Sequence, residues 1–278
     1  MPGNPFDGDA LHALLTPTHT GGMTFTGHSA SLGEPVVYGG QLMAQALGAA
    51  AATVDSARPA HFLHCDFFAP GNPNETLVFD VSRIRDGKST SHRTVRVSQP
   101  AGTVMLASVS FQDVAAGYEH QATPPAAPAP ERLLRDPENE FTFSDSEQQP
   151  FPFRMLNCPV ADGVPNATSA IWAQPRAQVP DTLILHQQLL AFLSDATILQ
   201  AAMLPHALQW DQPELLIATM NHAIWLHRPL DINEWLMLYS ESPSTSAGRA
   251  LASAKLFTAA GTLVASVNQE GILRTRPT

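Results

Sequence analysis

The chain has 278 residues, enough for a large core or two mid-sized domains. Its formal net charge is −10 with only 15 basic residues, which excludes a general nucleic-acid binder, since such proteins present a basic face. Hydrophobic content of 44% fits a packed globular chain and excludes a disordered one. No apolar run reaches a membrane span; Leu42–Val54 comes nearest and is short and interrupted by Gln45. Cys65 and Cys158, one in each half, cannot build a disulfide framework or a four-ligand zinc site, which points to a reducing cytoplasm. Neither a signal peptide at Met1–Asp7 nor a peroxisomal address at Arg276-Pro277-Thr278 is expected.

Residues 38–54 suit a closely packed helix, because Gly39, Gly40, Gly48 and the alanines allow backbones to approach and polar positions are nearly absent. Strand patterns follow at 61–68, 77–82, 89–98 and 103–113, with Asp86-Gly87 as a hairpin turn. The prolines of Thr123–Pro130 forbid a helix interior or a central strand, and the acidic stretch Asp136–Glu147 is poor in apolar residues. Residues 118–150 therefore read as a connection between a unit at 1–117 and a unit at 151–278. The second unit repeats the order of the first: a helix at 182–204, then strands near 216–227, 235–243, 248–258 and 262–273. A long helix followed by an antiparallel sheet, twice, is an α+β layout and not a βαβ alternation.

The repetition extends to wording. Ala-Gly-Thr-Val-Met-Leu-Ala-Ser-Val at 101–109 is echoed by Ala-Gly-Thr-Leu-Val-Ala-Ser-Val at 260–267. Counting back from Pro70 and Pro229, Thr219 meets Ala60; aligning the Ala-Ser-Val strings sets Gln269 opposite Phe111. Asp195 lies on the second helix among Ala191, Phe192, Ile198 and Leu199, whereas the first helix has no acid. Buried polar groups cost free energy unless paired or used, so the asymmetry points to one active site in the second half.

Asp195 on an apolar face would be desolvated, which raises its pKa and makes it a better base; an exposed or arginine-paired aspartate fits the same residues. Thr219 reads as an ordinary strand threonine on its own, while Gln269 stands out in a strand of small and apolar residues. Five of the 15 basic residues, Arg83, Arg85, Lys88, Arg93 and Arg96, fall between 83 and 96 and could attract phosphates, or form a solvated strand face. Gly27-His28-Ser29-Ala30-Ser31 lacks the second glycine and the helix of a nucleophile elbow. The histidines show no metal-ligand spacing, so neither metal nor cofactor is expected.

Several motifs in order resemble the acyl-CoA thioesterase II (TesB-like) family from about residue 30 to the end. They are Val37-Tyr38-Gly39-Gly40-Gln41, Arg83–Ser89, Ala107–Gln112, Ser194-Asp195, Ile217–Pro229 and Val267–Gly271. The resemblance implies a double hotdog, two long helices each wrapped by a curved antiparallel sheet, and hydrolysis of medium- or long-chain fatty acyl-CoA. It places the family's catalytic Asp, Thr and Gln on Asp195, Thr219 and Gln269, where they would deprotonate and aim a water. Donors to the oxyanion would lie near a helix start, and a covalent route through Asp195 stays open. The expected substrate-binding set is Gly40, Arg85, Lys88, Arg93, His222 and Trp225. Acyl-CoA is the expected partner, with neither nucleic acid nor membrane, and the family's habit implies a homo-oligomer. One departure is Asn221, where the family has Asp before the His. Two rivals are a non-catalytic acyl-CoA-binding hotdog and an enoyl-CoA hydratase-like enzyme, which needs an Asp/His pair.

Overall fold

The structure, a computed structural model, describes residues 7–30, 32, 35–55, 58–141, 151–160, 163 and 165–276. Ser31, Gly33 and Glu34, both chain ends and the acidic run at 142–150 lie outside the described residues. The first half runs α1 (Gly8–Leu15), β1 (Thr18–Gly21), β2 (Thr24–Gly27), α2 (Gly39–Ala51), β3 (Ala60–Phe67), β4 (Leu77–Asp86), β5 (Thr90–Gln99) and β6 (Gly102–Gln112). The connection carries a one-turn helix, α3 (Pro130–Leu133), a 3-10 turn at Pro137–Asn139 and β7 (Glu140–Phe141). The second half runs β8 (Phe153–Cys158), β9 (Thr168–Pro175), α4 (Leu183–Ser194), α5 (Gln200–Met203), a 3-10 turn at Leu204–His206, β10 (Leu215–Leu226), β11 (Leu236–Ser246), β12 (Arg249–Thr258) and β13 (Leu263–Thr275).

All strands join one antiparallel sheet in the order β1-β2-β4-β5-β6-β3-β10-β13-β12-β11-β9-β8-β7. The order is nearly palindromic about the β3–β10 seam, where Cys65 pairs with His222 and Leu63 with Ile224. Each half thus places two strands before its helix and four after it. Of the leading strands, β1 and β2 escape the sequence pattern because they are short, and β8 and β9 because they carry too little alternation to stand out.

Bulges sit at matching places in the two halves. His61 is extra between Ala60 and Phe62, and Met220 between Thr219 and Asn221. Val104 is extra in β6 and Val264 in β13. This register corrects one sequence alignment. Val109, paired with Leu63, is the counterpart of Gln269, paired with His222; Phe111 matches Gly271 instead. Pairing of strands, which fixes which face a side chain takes, overrides local wording.

α2 and α4 pack against each other inside the sheet, and both are buried nearly all round. Their buried polar groups are satisfied across the core. Gln45 donates to the carbonyls of Leu14 and His28 at 2.8 and 2.9 Å, and Gln187 donates to that of Ala60 at 2.8 Å. Truncating a core leucine such as Leu42 or Leu189, both almost fully buried, would cost about 2–5 kcal/mol. The expected single helix at 182–204 is broken after Ser194. The Ser194 hydroxyl bonds back to the Ala191 carbonyl at 2.9 Å, a contact that competes with the helical ladder, and tighter i−3 bonds follow, Ala196 N–H to Leu193 O at 3.0 Å among them. Among the described residues no helix is long and apolar enough to cross a membrane.

Candidate active site

The break in the helix places Asp195. It is the residue that closes α4, and its side chain is 6% exposed. β10 brings Thr219 to it, and the Met220 bulge is the reason. In an unbroken strand Thr219 would face away from His222, since side chains alternate. The extra residue resets the alternation, so Thr219 pairs with Gly271 and faces the helices as His222 and Gln269 do. Gly271 is required there, because a Cβ would stand 2.6 Å from Leu199 and 2.9 Å from the Ala218 carbonyl oxygen.

The three polar groups form a closed triangle. Thr219 Oγ1 donates to Asp195 Oδ1 at 3.1 Å. Gln269 Nε2 donates to Asp195 Oδ1 at 2.8 Å and to Thr219 Oγ1 at 2.6 Å. The Gly40 backbone N–H, in the first turn of α2, also donates to the carboxylate. Burial pushes the Asp195 carboxyl from 3.8 up to about 7, against the lowering effect of the Thr219, Gly40 and Gln269 bonds. Desolvation wins because the donors stabilise the anion less than bulk water would. The carboxylate lies at the negative end of the α4 dipole and the positive end of the α2 dipole.

The first half supplies the wall. A Cβ on Gly40 would stand 2.3 Å from the Phe192 carbonyl oxygen, so the two helices cross at backbone contact there. Tyr38 caps this crossing: its hydroxyl donates to that same carbonyl at 2.9 Å, and its ring packs 4.9 Å from Phe192. A Cβ on Gly39 would stand 2.7 Å from Asp195 Oδ2 and 3.3 Å from the Phe67 ring. Oδ1 is occupied by the triangle, while Oδ2 faces Gly39. The roles of Tyr38, Gly39 and Ser194 were missed in sequence, where the Tyr-Gly-Gly and Ser-Asp strings were the signals.

Other expected site residues are placed differently. Arg93 is 1% exposed; it donates to Thr53 Oγ1 and the Thr53 carbonyl and pairs with Asp86 at 2.8 Å, so it is a core brace and not a phosphate ligand. Arg85 and Lys88 are exposed at the β4–β5 hairpin, which adjoins the Ala60 end of β3, whereas Thr219 lies past the opposite, Asp66 end. Eight strand residues separate those ends, roughly 25 Å, so Arg85 and Lys88 do not reach the Asp195 triangle. Trp225 packs on Phe62, with ring centroids 5.3 Å apart, and lies on the outer sheet face, since Ile224 and His222 take the inner one. It cannot line a channel beside Asp195. His222 is wholly buried behind the triangle and cannot touch substrate; burial pushes it down to about 3, with His64 adding to the fall and Gln269 opposing it, so it is neutral. Asn221 faces outward and donates to Glu270 at 3.1 Å, so it forms no acid/base pair with His222. Among the described residues no group of three or more His, Cys, Asp or Glu could hold a metal ion.

Known proteins share this arrangement of chain and sheet. The family described as acyl-CoA thioesterase matches residues 159–272, and the one described as acyl-CoA thioesterase N-terminal domain matches residues 27–112. Acyl-CoA thioesterase 2 of Haemophilus influenzae is 34% identical over 267 residues, 91% of this chain and 92% of that protein. The crystal structure of acyl-CoA thioesterase II TesB2 from Mycobacterium marinum is 31% identical with a TM-score of 0.81, over 96% of this chain and 98% of that one. A protein with hot dog fold from Alicyclobacillus acidocaldarius, 19% identical, shares the fold with a TM-score of 0.80 over 97% and 99% of the two chains.

Proposed function

The chain belongs to the acyl-CoA thioesterase family, has the double hotdog fold and is an enzyme that hydrolyses acyl-CoA thioesters, and we propose that it does so through one water activated by Asp195. The observation that carries this reading is the meeting of a buried carboxylate, pushed up to about 7, with Thr219 and Gln269. A base whose pKa lies near the working pH is best placed to take a proton in the transition state.

Water donates its proton to Oδ2 of Asp195 as its oxygen bonds to the thioester carbonyl carbon. The Thr219 hydroxyl and Gln269 amide orient the attack by holding the Asp195 carboxylate through Oδ1. Negative charge moves to the carbonyl oxygen, at the positive end of the α2 dipole, where the Gly40 N–H is already given to Asp195. The oxyanion reforms the carbonyl, the C–S bond breaks, and the leaving CoA thiolate recovers the proton from Asp195. The acyl chain enters across an apolar rim. Val36 before α2, Phe68 after β3 and Met220 in the bulge are 41%, 59% and 37% exposed on segments that border Asp195 and Thr219. Such a rim supports medium- and long-chain fatty acyl groups. We also assign the enzyme to the cytoplasm, in line with its free, buried Cys65 and Cys158, and to a homo-oligomer, which light scattering will test.

The test is Asp195→Asn, which keeps the shape and removes the proton acceptor. Release of free thiol from an acyl-CoA panel is expected to fall by about 10²–10⁴-fold in a folded protein. Wild-type-like turnover would remove Asp195 from the mechanism. Single turnover in ¹⁸O-water tests the covalent route: label in Asp195 itself would mean a mixed anhydride opened at the aspartyl carbonyl.

A further inference from the structure

We propose that Ser194 and His222 form a positioning pair that locks the Gln269 side chain with its NH₂ group toward Asp195 and Thr219. The proposal rests on the triangle reading above and goes one layer behind it.

His222 and Gln269 stand directly opposite each other on β10 and β13, on the inner face, and both are buried. Each leaves one buried atom without a hydrogen-bond partner: Nδ1 of His222 and Oε1 of Gln269. Side chains opposite each other on one sheet face lie within mutual reach. His222 Nδ1 is also 3.9 Å from Asp195 Oδ1, too long for a hydrogen bond but close enough for charge to matter. Nδ1 thus lies beside the Asp195 carboxylate and on the residue opposite the one that carries the unpartnered Oε1. A lone pair there would repel the carboxylate; an N–H favours the Asp195 anion and gives Oε1 a donor that a small side-chain turn brings into reach.

The other ring nitrogen decides which form holds, because a neutral imidazole carries one proton. His222 Nε2 is 2.9 Å from Ser194 Oγ, and that hydroxyl is also 2.9 Å from the Ala191 carbonyl oxygen. The hydroxyl has one proton for two acceptors, the Ala191 carbonyl and His222 Nε2. When Ser194 turns it from Ala191 to Nε2, the imidazole proton sits on Nδ1, and the donors run from Ser194 to His222, from His222 toward Gln269, and from Gln269 to Thr219 and Asp195. A flipped Gln269 amide would place its oxygen 2.8 Å from the Asp195 carboxylate oxygen, acceptor against acceptor. His222 does not touch substrate; it acts through Gln269. The first half has no such relay: Leu63 and Val109 occupy the matching pair of positions.

The direct test is ¹⁵N NMR of the histidine-labelled wild-type enzyme, with the His222 signal identified by its loss in His222→Leu. The expected spectrum is a neutral imidazole protonated on Nδ1; protonation on Nε2 overturns the proposal whatever the activity. The kinetic test is a double-mutant cycle. His222→Leu should lower kcat by up to about 10²-fold with KM nearly unchanged. His222→Asn, which keeps a donor at the Nδ1 position, should recover part of the loss. In a Gln269→Ala background His222→Leu should lower kcat no further; independent, multiplying losses overturn the proposal. Should His222→Leu fail to fold, Ser194→Ala takes its place in the cycle, with the same expectations. Failure of the triangle reading is distinguishable, because it shows as an active Asp195→Asn while the tautomer is read without turnover.

Discussion

Gly39 stands so close to Asp195 that a Cβ on it would come 2.7 Å from the carboxylate oxygen Oδ2. The two residues belong to different halves of the chain. The acid is at the end of α4 and the glycine at the start of α2, so the single site is built across the duplication and not within one copy. One half supplies the polar triangle and the other the glycine wall beside it.

Gly39→Ala should therefore be an activity mutation. Its backbone is not in the left-handed region, so alanine is tolerated by the chain, but the added methyl group crowds Oδ2. Turnover should fall by about 10²-fold with little change in Tm. Gly40→Ala should differ, because its Cβ meets the Phe192 carbonyl oxygen at 2.3 Å and pries the helices apart. Its main effect should be a lower Tm. Thermal melts beside thiol-release assays separate the two.

The acid limb of kcat/KM should titrate near the Asp195 value of about 7, well above an ordinary carboxylate. Activity rises with pH because only the anion accepts a proton. A pH profile with a short acyl-CoA checks this, and a limb near 4 would mean that Asp195 is not the base.

Stability should show the same carboxylate from the other side. The folded protein holds the Asp195 proton up to about 7 and the unfolded chain only to about 3.8, so stability falls as pH rises through that window. His222 acts in the opposite sense. Its folded pKa of about 3 lies below the unfolded 6.5, so its contribution is present above 6.5 and is lost as pH falls toward 3. Asp195→Asn should thus be more stable than wild type at pH 8, by a few kcal/mol at most, and equal to it near pH 3.5. Denaturant melts at the two pH values give the comparison.

Arg93→Ala should lower stability by about 1–3 kcal/mol, since the Thr53 and Arg85 carbonyls and the Thr53 hydroxyl lose their buried donor. KM for acyl-CoA per folded molecule should not change. A raised KM with unchanged Tm would restore Arg93 to phosphate binding.

Acyl length should matter. Each buried methylene is worth roughly 0.8 kcal/mol, close to a fourfold gain. Across saturated acyl-CoAs below their micellar concentrations, kcat/KM should rise from acetyl through medium chains and then level off. Phe68→Ser and Met220→Ser should flatten that slope, as both expose apolar surface at the rim. A flat wild-type profile would count against a fatty acyl channel.

Much of this protein was legible in its sequence. Glycine and alanine density marked α2 as a packed helix, period-2 runs marked the long strands, and the internal repeat with its one-sided polar residues singled out Asp195, Thr219 and Gln269. Those signals are local, or compare one segment with another. Pairing geometry was not legible. The Met220 bulge that turns Thr219 inward, the register that sets Val109 against Gln269, and the outward face of Trp225 follow from which strand lies beside which. Charge was legible only as composition: Arg93 counts as one of a basic cluster until the fold buries it on Thr53. The same holds for Gly39 and Asp195. Sequence fixes that one has no side chain and the other an acid, but their meeting across two helices, and the desolvation that makes the acid a base, arise only when the packed core excludes water.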